Sequence, residues 1–97
     1  MAETAESRVV ALPAVVDLDA LDMVRDGLIE ALEAGAVTVD ASRVERLATN
    51  ALLMLVSAGE TARRTGLGFA IAAASAPMQA AIDRLGLRAA FADMMKG

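Results

Sequence analysis

The sequence contains neither cysteine nor histidine, and tryptophan and tyrosine are also absent. The lack of cysteine excludes disulfides, thiolate nucleophiles and zinc sites of the finger type. The lack of histidine removes the commonest general base and metal ligand, so most hydrolytic and metal-assisted reactions are disfavoured. Aromatic residues make up 2% of the chain and apolar residues 57%, which predicts a core of small aliphatic side chains.

Basic charge and long apolar runs are also scarce. The nine lysine and arginine residues are scattered among 13 acidic ones, so the net charge is −4 and there is no basic stripe for nucleic acid. No apolar run approaches the roughly 20 residues that span a bilayer, and residues 1–6 are acidic where a signal peptide is basic. We therefore expect a cytoplasmic protein without direct membrane insertion. We also expect one domain over residues 1–97, with residues 1–7 flexible.

The first half of the chain predicts two strands, a helix and a third strand. Short apolar segments on either side of Pro13 favour two strands joined by a tight turn. In residues 18–34, apolar side chains recur at spacings of three and four, which is typical of an amphipathic helix, and Gly35 marks its end. Residues 36–40 follow as a strand, and residues 41–47 read as a polar connection.

The second half continues the alternation. Thr49 or Asn50 is predicted to cap a second helix, which runs to about residue 65 and ends at Gly66, and residues 68–72 form a strand. A third helix opens at residues 75–77, with Met78, Ile82 and Leu85 as its buried stripe. Residues 87–97 are compatible with a short helix or an extension. The alternation predicts an α/β domain with at least one parallel strand pair and right-handed crossovers.

The second helix carries apolar side chains on both faces. The face predicted to pack on the sheet consists of Leu52, Leu55, Val56, Gly59 and Ala62. Leu53 and Met54 fall on the opposite, polar face beside Asn50 and Ser57. Two interpretations follow: the C-terminal tail or a neighbouring loop covers Leu53 and Met54, or the two side chains form a docking patch for a partner.

Thr49 stands at the start of this helix and has two possible roles. As an N-cap, its hydroxyl would accept a backbone N–H of the first turn, a contribution of about 1 kcal/mol. As a phosphorylation site, it would carry negative charge where the helix dipole and free N–H groups favour it. The two roles are compatible.

Three aspartates, Asp17, Asp19 and Asp40, lie at predicted strand ends. One of the first two is suited to cap the first helix, and Asp40 to close a strand. Although three carboxylates could bind magnesium, no glycine-rich phosphate loop or partnered lysine accompanies them. We expect no metal site and no cofactor.

Three segments together resemble the STAS domain, the fold of bacterial anti-sigma factor antagonists and related regulatory modules. The segments are Val15-Val16-Asp17, Val39-Asp40-Ala41-Ser42-Arg43-Val44 and Leu47-Ala48-Thr49-Asn50-Ala51-Leu52. The resemblance covers residues 8–91. It implies a small single α/β domain with a mixed sheet of four to five strands and helices packed mainly on one face.

The resemblance also implies functional residues. Thr49 falls where the family has the serine or threonine phosphorylated by a partner kinase, and Asp17 falls on a strand-ending aspartate beside it. Ala48 replaces an aspartate that is usual in the family. Together with the exposed helix face, this predicts a partner-binding surface of Asp17, Asn50, Leu53, Met54 and Ser57.

The implied function is a non-enzymatic bacterial signalling module, similar to an anti-sigma factor antagonist. Its partner would be a switch kinase or anti-sigma factor of the histidine-kinase-like ATPase type. Two alternatives within the family are an accessory subunit of an ABC-type lipid transporter, bound to the transporter ATPase, and a member of a chemotaxis-like signalling set. An alternative of another class is a nucleotide-hydrolysing enzyme that uses the carboxylates.

Overall fold

The computed structural model describes residues 8–96, in which short strands alternate with helices. The expected flexibility of residues 1–7 concerns residues outside this range. In chain order the elements are β1 (Arg8–Ala11), β2 (Val15–Val16), α1 (Leu18–Ala34), β3 (Val37–Asp40), β4 (Arg46–Leu47), α2 (Thr49–Arg64), β5 (Phe69–Ala72), α3 (Ala76–Arg84), α4 (Arg88–Phe91) and β6 (Met95–Lys96).

Helix α1 has the bounds that its sequence predicts. The Asp17 carboxylate caps its start, and Gly35 ends it with a φ of 146°, a backbone conformation that favours glycine. Its side chains Val24, Leu28 and Ala31 are buried. Local signals at both ends and a regular apolar spacing therefore suffice to define this helix.

The strands form two sheets, and every pairing within residues 8–96 is parallel. Four strands lie in the order β1-β3-β5-β6, and β2 pairs with β4 in a separate small sheet. The prediction of one mixed sheet of four to five strands is therefore wrong. The two short strands on either side of Pro13 are present and only three residues separate them, but they do not pair with each other, because β2 pairs with β4, beyond α1 and β3.

The four-stranded sheet has one buried and one open face. Val37, Val39 and Ile71 share the buried face, against which α1 and α2 pack. The other face carries Val9, which is 67% exposed, and the half-buried Thr38. The core thus lies between one side of the sheet and its helices and is mainly aliphatic, with Phe91 and Met78 among its fully buried side chains.

The C-terminal segment returns to the sheet. After α4, the N–H of Ile71 donates to the carbonyl of Met94 at 2.7 Å, and β6 continues alongside β5. Phe91 and Met94 are buried. The segment is thus a short helix followed by a strand, which combines the two conformations that the sequence left open.

Helix α3 is fixed by Ser75, whose hydroxyl oxygen accepts the N–H of Met78 at 3.2 Å and donates to the Val44 carbonyl at 2.5 Å. Met78 and Ile82 are buried as predicted, but Leu85 is 43% exposed. Leu85 lies at the C-cap, where the chain leaves the helical path. Its predicted burial is therefore wrong.

Candidate functional site

The starts of α1 and α2 lie side by side. Parallel pairing aligns Val16 with Leu47, and the N–H of Ala48 donates to the Val16 carbonyl at 2.8 Å. Asp17 and Ala48 therefore directly follow two paired strands, at the same edge of the small sheet. The short β2–β4 sheet brings together two segments that are far apart in the sequence.

Asp17 is the N-cap of α1. Its Oδ1 accepts the N–H of Ala20 at 3.0 Å, and the side chain stays exposed. Of the two aspartates considered for this cap, Asp17 is the one that fills it. The next residue, Leu18, is 64% exposed.

Thr49 is the first residue of α2 and not its cap. Ala48 is the N-cap, with φ −71° and ψ 151°, and its carbonyl accepts the N–H groups of Ala51 and Leu52 at 2.9 and 3.3 Å. The prediction that Thr49 or Asn50 caps this helix is wrong, because the helical path begins one residue earlier than a Thr49 cap requires. Alanine offers no side-chain acceptor, so α2 starts without a side-chain cap.

The exposed face of α2 carries the other predicted residues. Asn50 and Ser57 are exposed, and Leu53 is 47% exposed. Met54 is half-buried and packs partly against the core. The C-terminal segment does not cover Leu53, because it packs on another side of α2, with Met94 against Gly59.

Three exposed apolar residues on α1 were missed by the sequence interpretation, and one of them is Met23, which is 69% exposed. Besides Leu18, Ile29 is 49% exposed on the side of α1 that faces α2. A signal was present in the sequence. None of the three belongs to the set at positions 21, 24, 28 and 32 that defines the buried stripe, and a complete helical wheel would have placed Leu18 and Ile29 on its margin and Met23 outside it.

The aspartates do not form a metal centre. Among residues 8–96, no group of three or more acidic side chains lies close enough to hold a metal ion. Asp40 closes a turn instead, where its Oδ1 accepts the Ser42 N–H at 3.0 Å, and this hydrogen bond lowers the pKa of the Asp40 carboxyl. Along the same part of the chain, no helix has both the length and the apolarity to cross a membrane.

Parallel strands, helix crossovers and two adjoining helix starts define a small α/β domain. The chain matches the family described as Mlab, STAS domain, over residues 1–95. It therefore belongs to the STAS domain family. No curated protein matches it in a sequence comparison.

A solved structure agrees with this assignment at the level of the fold. The crystal structure of a sulfate transporter family protein from Wolinella succinogenes has a TM-score of 0.66 to this chain. The similarity covers 91% of this chain and 74% of that chain, at 16% sequence identity. At such low identity it supports the architecture alone.

Proposed function

We propose that the protein is a non-enzymatic cytoplasmic signalling module that binds a partner protein through the starts of α1 and α2. The observation that carries this proposal is the exposure of Leu18 and Leu53 next to the polar Thr49 and Asn50. Exposed leucines that lie beside polar groups at one end of a domain are typical of an interaction surface. Asp17, Met54 and Ser57 complete this surface.

The proposed partner is a histidine-kinase-like ATPase that acts as a switch kinase or anti-sigma factor. This follows from membership of the STAS family and from the resemblance of residues 47–52 to the helix start of anti-sigma factor antagonists. A catalytic role is not part of the proposal, since the aspartates cap a helix or close a turn.

Phosphorylation of Thr49 is the proposed control. The first residues of α2 have no acidic side chain and no side-chain cap, so a phosphate there would meet N–H groups that need an acceptor. About two negative charges beside Leu53 would oppose its burial under a partner, because a doubly charged group is costly to desolvate. Dephosphorylated protein would be the binding form.

A second candidate partner is the ATPase subunit of an ABC-type lipid transporter. This candidate rests on membership of the STAS family, since some STAS proteins are accessory subunits of such transporters. In this reading the same surface contacts the ATPase, and the phosphate is dispensable. A chemotaxis-like kinase is a third possible partner with the same surface.

A pair of leucine substitutions tests the surface. Affinity capture from the native host identifies the ATPase, and calorimetry then measures its binding to purified protein. We expect Leu53→Asp to weaken binding at least about tenfold, the effect of losing a buried apolar contact. Leu85→Asp is the matched control, since Leu85 is 43% exposed against 47% for Leu53 and lies at the C-cap of α3. Equal binding by both variants and the wild type would reject this surface.

The identity of the captured ATPase separates the candidates, and Thr49→Glu tests the control. We expect Thr49→Glu to weaken binding of a switch kinase while the melting temperature stays nearly unchanged, because glutamate is favourable in a first helical turn. Intact-mass measurement on protein from the native host should find a phosphate on Thr49. Unaltered binding by Thr49→Glu would remove the phosphate switch and leave the docking surface standing.

A further inference from the structure

A groove runs between α1 and α2, next to the proposed docking surface. Its volume is about 210 Å³, and it is lined by Arg25, Leu28, Ile29, Leu32, Met54, Ser57, Ala58 and Thr61. Leu28 is fully buried beneath it, whereas Ile29 is 49% exposed at its rim. The groove is therefore an apolar channel that the described part of the chain leaves open.

The outer side of α1 is strongly acidic. It carries Asp19, Asp22, Asp26, Glu30 and Glu33, and Arg25 is the one basic residue of this helix. At 100° per residue, Asp22 and Ile29 fall on the side of α1 that faces α2, and the other carboxylates lie on the adjoining side. Arg25 lies 3.8 Å from both Asp22 and Asp26, so its single charge is shared.

We infer that this groove docks a basic amphipathic helix of the partner protein. Its apolar face would contact Ile29 and Met54 and continue onto Leu53, and its lysine or arginine side chains would follow the acidic side of α1. This inference rests on the proposed function and names the chemistry of the partner element.

The geometry favours a helix as the occupant. Two neighbouring helices leave a channel whose side-chain rows match those of a third helix, as in helix-in-groove recognition. The groove is lined by residues 25–32 of α1 and 54–61 of α2, which gives a wall of about two helical turns for contact with a partner helix.

Charge excludes two other occupants. A second copy of this chain in a two-fold interface would place the acidic side of α1 near its own equivalent, and like charges repel. An anionic membrane surface would be repelled by the same carboxylates. A basic helix makes use of both the apolar channel and its acidic border.

A synthetic peptide tests the inference on the full chain. The probe is a fluorescent amphipathic helix of leucine and lysine, about 18 residues or five turns long, and the control probe replaces lysine by glutamate. We expect saturable binding of the lysine peptide that weakens with salt, and none of the glutamate peptide. Backbone NMR shifts on binding should map to Ile29, Leu53 and Met54.

Matched variants separate the groove from general attraction to an acidic protein. Ile29→Asp should weaken peptide binding about tenfold, while Leu85→Asp should leave it unchanged. Asp26→Lys should weaken peptide binding more than the control Asp93→Lys does. The control changes the net charge by the same amount, at a position that follows α4 and does not line the groove. Equal effects within either pair, or NMR shifts confined to the open sheet face or to another surface, would overturn the inference.

The native partner distinguishes this inference from the proposed function. If the captured ATPase loses affinity for Leu53→Asp but binds Ile29→Asp and Asp26→Lys normally, the groove is not used and the docking surface stands. If Leu53→Asp also binds normally, the proposed function itself fails.

Discussion

Two glycines in the middle of helices should respond to alanine in opposite directions. Alanine is favoured over glycine in a helix interior by about 0.5–1 kcal/mol. At Gly27 in α1, nothing lies within 4 Å of the position that a Cβ would occupy. We therefore expect Gly27→Ala to stabilise the protein by nearly the full propensity gain.

At Gly59 in α2, the same methyl group would lie 2.2 Å from the Sδ of Met94 and 3.3 Å from its Cγ. Since nonbonded contacts are most favourable near 3.5–4.0 Å, the sulfur would have to move by roughly 1.5 Å. Met94 is only 8% exposed, so it has little free space to enter. Overpacking of this kind costs about 1–3 kcal/mol, which exceeds the propensity gain.

The net expectation for Gly59→Ala is a loss of about 1 kcal/mol, or a melting temperature lower by about 4–8 °C for a domain of this size. Circular dichroism melts and urea titrations at equal protein concentration measure both variants. In a Met94→Ala background the obstacle is gone, so Gly59→Ala should become stabilising there. A rise in melting temperature for Gly59→Ala equal to that for Gly27→Ala would refute the packing of Met94 against this helix.

Two further changes test the start of α2 and the turn after β3. Ala48→Ser supplies the missing side-chain cap and should stabilise the protein by about 1 kcal/mol. Ala80→Ser, on the exposed face of α3, is the control and should not stabilise it. Identical melting temperatures for the two variants would contradict the uncapped start of α2. The pKa of Asp40 is lowered by its hydrogen bond to Ser42, so its contribution is present above the unfolded pKa of about 3.9 and is lost as the pH falls through the folded value. Asp40→Asn keeps an acceptor but does not titrate. Its urea midpoint should therefore fall less between pH 5 and pH 3 than that of the wild type, and an equal fall would argue against the hydrogen bond between Asp40 and Ser42.

Local signals explain which elements could be predicted. Helix α1 has a capping aspartate, a regular apolar spacing and a terminal glycine, all within its own segment. The strand Arg46–Leu47 has no such signal, because its two residues pair with Val15–Val16 across a long stretch of chain. Its existence depends on tertiary packing, and sequence patterns report mainly local preference.

The candidate site was predicted to a similar extent. The helical wheel places Leu53 among polar residues and left two interpretations, a covered or an exposed side chain, of which the structure has the exposed one. The role of Thr49 as a cap did not follow, because the boundary of a helix shifts by one residue when an alanine stays extended before it. The groove beside Ile29 required knowledge that α1 and α2 are neighbours, which no single segment contains.

The hydrogen bond that the Asp17 carboxylate accepts from Ala20 links the surface to the integrity of α1. Leu18 and Leu53 do not cap or hold a helix in this way, and both are partly exposed, at 64% and 47%. In a lineage of duplicated proteins of this kind, partner choice could diverge through the two leucines at little cost to folding. Substitution of Asp17 would remove the cap from the first turn of α1, a helix of 17 residues, and would destabilise it. The same surface therefore contains two positions that can vary with little loss of stability and one that the fold requires.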